Sequence, residues 1–224
     1  VTKGIDPKVS MKDSGVEWLG NIPEHWEVRK LKYVANFKSG EMITSESISE
    51  NGDFKVYGGG GFRGFTSSYT NEGEFVLIGR QGALCGNIKY ANGKFWASEH
   101  AIVTYVIVNI EQFFLGEILK VANLGRLSQT AAQPGIAIGK IRMESIPVPP
   151  IQEQKTIITH IEIETKKIDK TIVTIQKEIT LVEEYKTALI AEAVTGKIDV
   201  RDFKLQQEEI PLAMVAEEAS HYNK

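Results

Sequence analysis

From residue 158 onward, apolar positions return at alternating steps of three and four: Ile158, Ile161, Ile168, Ile172, Ile175, Ile179, Val182 and Leu189. In heptad terms Ile158, Thr165, Ile172, Ile179 and Lys186 fall at a, and Ile161, Ile168, Ile175, Val182 and Leu189 at d. Only Thr165 and Lys186 interrupt the seam. A 3.5-residue period held over four heptads predicts a long helix that packs along another helix. Residues 151–195 contain no Gly or Pro, Pro149-Pro150 precede them, and Gly196 stands where a helix stop is expected. Such a helix would run roughly 67 Å at about 1.5 Å per residue. It either lies along its own domain's core or needs a partner helix, and its length favours the partner.

Upstream, the period shortens to two. Residues 54–57, 74–79, 86–90 and 101–108 read as strands separated by Gly-, Ser- and Asn-rich turns. Asn92-Gly93, between Ile88-Lys89-Tyr90 and Lys94-Phe95-Trp96, predicts a hairpin. Asn109 offers an N-cap for a helix over about 111–123, with Phe113, Phe114, Ile118, Leu119 and Ala122 on its apolar side. Residues 124–140 read as a loop and 141–148 as a last strand. Trp18 and Trp26 flank a proline turn, a pattern that predicts an anchor on the core more than a binding surface. The expected organisation is an arm over 1–20, a mixed domain over 21–150, the long helix over 151–196 and a weakly ordered, acidic tail over 197–224.

Charge adds one distinction. Residues 1–150 carry 16 Lys+Arg against 15 Asp+Glu, a balance of +1, whereas residues 151–224 carry 10 against 14, or −4. Bulk charge therefore does not point to nucleic acid, and any such case rests on local clustering. The single Cys85 excludes an internal disulfide and fits a reducing, cytoplasmic setting. The four histidines, His25, His100, His160 and His221, are scattered, which argues against a metal centre. No signal peptide and no apolar run of membrane-spanning length is found. The chain opens on Val, so its numbering is expected to begin inside a longer chain or at a processed start.

Several motifs fail on context. Gly59-Gly60-Gly61-Phe62-Arg63-Gly64 matches G-x-G-x-x-G, but the residues that follow it do not open a helix. The segment from Gly135 to Ile141 is one residue short of a phosphate loop and lacks its Ser/Thr. No methyltransferase Pro-Pro-aromatic signature and no metal-nuclease carboxylate cluster is present. What remains is a pair of glycine-rich segments, residues 57–66 and 78–86, each with one arginine. Glycine lets backbone approach another surface, and Arg forks suit phosphate oxygens and the O6/N7 edge of guanine. Gln81 suits adenine in the same way. These residues are equally compatible with plain surface turns.

A resemblance decides between the two. Residues 11–20 (Met11 through Gly20), Ile22-Pro23-Glu24-His25-Trp26-Glu27, the run from Val76 to Ala83, Gln133-Pro134-Gly135, Ile146-Pro147-Val148-Pro149-Pro150 with Gln152-Glu153-Gln154, and the stretch from Ala193 to Arg201 resemble the specificity subunits of type I restriction-modification systems. The resemblance covers nearly residues 1–203. It implies an α+β fold, with a mixed α/β target-recognition domain followed by a long coiled-coil-forming helix. It also implies a non-catalytic, cytoplasmic subunit that reads one half of a bipartite target in double-stranded DNA. Such a subunit docks modification (methyltransferase) subunits and, through the complex, restriction subunits. No cofactor is expected on this chain; S-adenosylmethionine and ATP belong to the partners. Family members usually carry two recognition domains and two helices that pair antiparallel. This chain has one of each, so it is either a natural half-subunit pairing with a second copy or another half, or the second half of a longer one. The expected DNA face comprises Arg63, Arg80 and Gln81, with Lys38, Thr66, Lys89, Gln133 and Lys140 as further contacts. A coiled-coil adaptor without sequence-specific DNA binding is the competing reading.

Overall fold

The computed structural model of the chain describes residues 1–128, 134–199 and 201. Its strands are β1 (Met11–Asp13), β2 (Asn21–Pro23), β3 (Glu27–Lys30), β4 (Ala35–Ser39), β5 (Phe54–Gly58), β6 (Gly61–Thr66), β7 (Asn71–Glu72), β8 (Phe75–Gly79), β9 (Ile88–Ala91), β10 (Lys94–Ala97), β11 (Ala101–Val106) and β12 (Ser145–Val148). The α-helices are α1 (Gln112–Val121), α2 (Ile138–Met143) and α3 (Ile151–Val194). The fold is α+β, a sheet-rich domain followed by one long helix. The chain divides into two compact units, residues 1–165 and 166–224.

In the first unit, two four-stranded sheets lie face to face, in the orders β4-β11-β8-β9 and β6-β5-β10-β7. Strand alternation explains the layering. On β8, Val76 and Ile78 point into a core shared with Phe114, Leu115, Ile118 and Leu119 of α1, whereas Leu77 points the other way, toward Ala91, Phe95, Ala97 and Val103. One sheet thus separates two apolar layers, with α1 on one face and the second sheet on the other. Tyr57, Phe75 and Tyr105 pack at the margin of the second layer. The Asn71 amide donates to the Tyr105 hydroxyl at 2.7 Å.

Four expectations need correction. The Asn92-Gly93 turn forms, with Gly93 at φ 78°, but β9 and β10 do not pair. Here β9 pairs β8, and β10 crosses to the other sheet to lie parallel to β5. Burial decides this: Phe95 and Ala97 are fully enclosed only between the sheets. Asn109 does not cap α1. Glu111 occupies the cap position without a side-chain bond of its own, and its N–H donates to Gln154 Oε1 at 2.9 Å. The expected loop over 124–140 contains a short 3₁₀ turn, Leu124–Leu127, and the start of α2, which displaces the last strand to Ser145–Val148. The expected N-terminal arm is part of the domain as well. There β1 pairs β2, Leu19 is buried, and Val16 and Trp18 pack on the core.

Trp26 is fully buried, as an anchor should be. Beside it, His25 Nε2 meets Glu153 Oε2 of α3 at 2.8 Å. Gln154, fully buried, also donates through Nε2 to the Pro149 carbonyl at 2.8 Å. The Gln152-Glu153-Gln154 motif therefore fastens the start of α3 to the tryptophan turn and to the start of α1. Ile157 is buried, and Ile158 and Ile161 pack against the same core.

The 44 residues of α3 form one continuous helix. Its many threonines are tolerated because Thr171, Thr174, Thr180 and Thr187 each return their hydroxyl to the carbonyl four residues back. Beyond residue 165, Ile168, Ile172, Ile175, Ile179, Val182 and Leu189 are all exposed. No helix among the described residues is long and apolar enough to cross a membrane.

Candidate nucleic-acid interface

The two glycine-rich segments, separated in sequence, meet in space. Residues 57–66 form the β5–β6 hairpin, with Gly58 paired to Gly61. No helix follows, so the dinucleotide-fold reading of G-x-G-x-x-G is excluded by the backbone itself. Residues 80–87 form the loop between β8 and β9. At Gly79 a Cβ would lie 2.5 Å from both the Gly59 and Leu84 carbonyl oxygens, so only glycine lets the hairpin, the strand end and the loop come together. Gly59 sits 3.0 Å (by its missing Cβ) from the carbonyl oxygens of Gln81 and His100.

A third segment joins them. Gly82 N–H donates to the Pro134 carbonyl at 3.0 Å, Ile136 N–H donates to the Arg80 carbonyl at 3.0 Å, and Gln81 bridges Gly135. Two of the stretches that carry the family resemblance, 76–83 and 133–135, are therefore neighbours. The 98–100 turn closes the group, with the His100 carbonyl accepting from Arg80 N–H at 2.8 Å.

On this scaffold the candidate side chains take different places. Arg63 is exposed on β6, where Val56 pairs Gly64 but Tyr57 pairs Phe62. That shift makes Arg63 the extra residue of a β-bulge, a device that re-aims a side chain out of the sheet's alternation. Its Cδ would lie 2.5 Å from a Cβ at Gly58, so its stem crosses the hairpin glycine. Arg80 is half-buried at its loop, with both backbone groups committed. Lys89 is exposed on β9, its methylenes beside Gly61. Neither guanidinium nor the Lys89 ammonium has a hydrogen bond or ion pair among the described residues. Three uncompensated cations thus ring one set of glycine turns, which supplies the local clustering that net charge hides.

Gln81 is exposed, and its Oε1 lies 2.9 Å from His100 Nδ1. His100 Nε2 in turn lies 3.1 Å from Glu99 Oε1. Glu99 Oε2 is buried without a partner. Burial raises the Cys85 thiol above its ordinary value, and its Sγ donates to the Arg80 carbonyl at 3.3 Å. That thiol is a packing group of the loop.

The remaining candidates lie apart from these contacts. Lys38 is exposed on β4, paired with Val103. Thr66 ends β6 and is only 7 % exposed. Lys140 is half-buried in α2. Gln133 lies outside the described residues. Three residues of the group were absent from the sequence reading. His100 and Glu99 carry no local motif and reach Gln81 only through the pairing of β8 with β11. Leu84, 49 % exposed beside Gly60, reads in sequence as an ordinary loop leucine. No His/Cys/Asp/Glu group suited to a metal ion occurs among the described residues.

This arrangement of a layered domain, paired glycine turns and a long C-terminal helix has relatives. Residues 23–184 match the type I restriction modification DNA specificity domain. The chain belongs to that family. It is 35% identical over 153 residues to the specificity subunit of the type I restriction enzyme EcoprrI from Escherichia coli, covering 66% of this chain and 36% of that protein. It is 28% identical over 230 aligned positions to the MjaVIII specificity subunit from Methanocaldococcus jannaschii, covering 90% of this chain and 52% of the relative. The fold matches the crystal structure of the type I restriction-modification S subunit from M. genitalium with a TM-score of 0.61 at 17% identity, over 85% of this chain and 48% of that one. A chain from a structural study of type I R-M complex assembly and conformational transition matches with a TM-score of 0.65 at 16% identity, with the same coverage of 85% and 48%. The chain thus spans between about a third and a half of the length of the curated relatives it matches.

Proposed function

We propose that this chain is a DNA sequence-recognition subunit of a type I restriction-modification complex, reading one half of a bipartite duplex target and docking methyltransferase subunits. The observation that carries this reading is the meeting of both glycine segments and Pro134-Gly135 under three unpaired cations, in a chain whose family is defined by DNA specificity. The subunit itself is non-catalytic. Methyl transfer from S-adenosylmethionine and ATP-driven cleavage belong to the modification and restriction subunits that join it in the cytoplasm. Arg63, Arg80 and Gln81 read base edges, and Lys89 contacts phosphate. Lys38, Gln133 and Lys140 are peripheral contacts, and Thr66 supports β6 from within.

Pairing follows from the exposed seam. A second copy, or another half-subunit, covers Ile168 through Leu189. Two identical chains related by a two-fold axis read the same half-site on opposite strands, so the homodimer's target is an interrupted palindrome. Methylome sequencing of cells carrying this chain as sole specificity protein, with its modification subunits, tests the reading. Two inverted half-sites around a fixed spacer are expected. An asymmetric or unsplit motif overturns the homodimer, and no selected motif at all favours the adaptor reading. In binding assays Arg63→Ala should cost about 1–3 kcal/mol and relax one position, whereas Lys89→Ala should weaken all sequences alike and flatten the salt dependence.

A further inference from the structure

The Gln81 carboxamide is not a free reader. Bidentate recognition of adenine needs both amide ends turned outward, the oxygen accepting from N6 and the nitrogen donating to N7. Here Oε1 lies 2.9 Å from His100 Nδ1. The two heteroatoms diverge from one carbon, so an end turned toward the imidazole takes the forked edge away from the duplex. The imidazole is itself fixed. Its Nε2 meets Glu99 Oε1 at 3.1 Å, and a carboxylate only accepts, so Nε2 carries a proton. The His100 backbone is held too, by Arg80 N–H at 2.8 Å and by the close approach of Gly59. Glu99 and His100 are each partly buried, whereas Gln81 is exposed.

We propose that Glu99 and His100 are positioning residues that commit the Gln81 oxygen inward, so that Gln81 reads its base through one outward N–H donor and not through an adenine fork. The proposal rests on the reading of this face as the DNA interface. A single donor in the major groove is satisfied by the keto acceptors of guanine O6 and thymine O4. Gln81 is therefore a reader of keto bases, and the half-site position it contacts accepts G or T.

Selection of half-sites from a randomised duplex pool by the full chain, assembled with its modification subunits, tests this. Wild type should show one position shared by G and T that loses its preference in Gln81→Ala. In His100→Phe the amide is released, and that position should narrow to adenine by about fivefold or more, the low end of a bidentate contact's discrimination. Gln81→Glu offers only acceptors and should move the preference to the amino bases A and C, which keeps the proposal testable if His100→Phe fails to fold. The other half-site positions should not change in any variant. A Gln81-dependent position that is adenine-selective in wild type overturns the proposal, as does a Gln81→Glu chain that still prefers G and T. A merely structural His100 would lower thermal stability and leave the selected base unchanged. If wild type selects no sequence at all, the DNA-reading assignment itself falls, and this inference with it.

Discussion

Residues 157–161 and 168–189 belong to the same helix and share one apolar period, yet they meet different fates. Ile157 is buried and Ile158 and Ile161 pack on the domain core, whereas Ile172 is 57 % exposed and Val182 65 %. Residue type and spacing are alike in both stretches. What differs is whether the rest of the chain supplies a surface, and for the first stretch it does, through the β-rich domain and Gln154. The comparison teaches that a heptad seam states that a face is to be covered without stating by what. An exposed apolar stripe of this extent on a folded chain marks an interaction surface.

The sharpest way to break the comparison is to charge the second stretch alone. Ile172→Asp with Ile175→Asp would bury unpaired carboxylates in any helix pair, on the order of 3–5 kcal/mol for each. Self-association, followed by sedimentation equilibrium, should disappear while the melting of the first unit stays put. A chain that still pairs, or a domain that melts earlier, would show that the two stretches are not separable. The complementary change is Trp26→Ala, which should destabilise the first unit by about 3–5 kcal/mol in urea unfolding. The helical content contributed by the second stretch should persist in the paired protein.

A smaller effect tests the junction. Gln154→Leu keeps the volume but leaves the Glu111 N–H and the Pro149 carbonyl without their partner, and should cost about 1–3 kcal/mol. Calorimetry of the full chain measures it. The smallest effect lies on α1. Burial, reinforced by the Glu117 carboxylate 2.8 Å from its hydroxyl, holds the Tyr90 phenol well above its ordinary value of 10.0. A raised folded-state value means that the contribution is complete below about pH 10 and declines as pH rises toward the folded-state value. Tyr90→Phe should therefore lose about 1 kcal/mol at neutral pH. Its deficit against wild type should shrink above pH 10, read from urea midpoints across that range.

The long helix, the strands, the tryptophan anchor and the α+β class were all legible in the sequence because each is a local pattern: a period of 3.5 or 2, a breaker, a bulky apolar pair. The DNA face was legible only in pieces. Arg63, Arg80 and Gln81 stood out because glycine flanked or neighboured them, but Glu99 and His100 carry no such mark. They reach Gln81 only because β11 pairs β8 and brings the 98–100 turn to the 80–87 loop. The Asn92-Gly93 turn shows the same limit from the other side, since its residues fix a corner but not the strand that lies beyond it. Backbone conformation and burial pattern depend on a few neighbouring residues, so the sequence by itself determined them. Which strand is neighbour to which, and hence which side chains share a hydrogen bond, depends on how two sheets and a helix enclose their apolar faces together, and only the tertiary structure decided that.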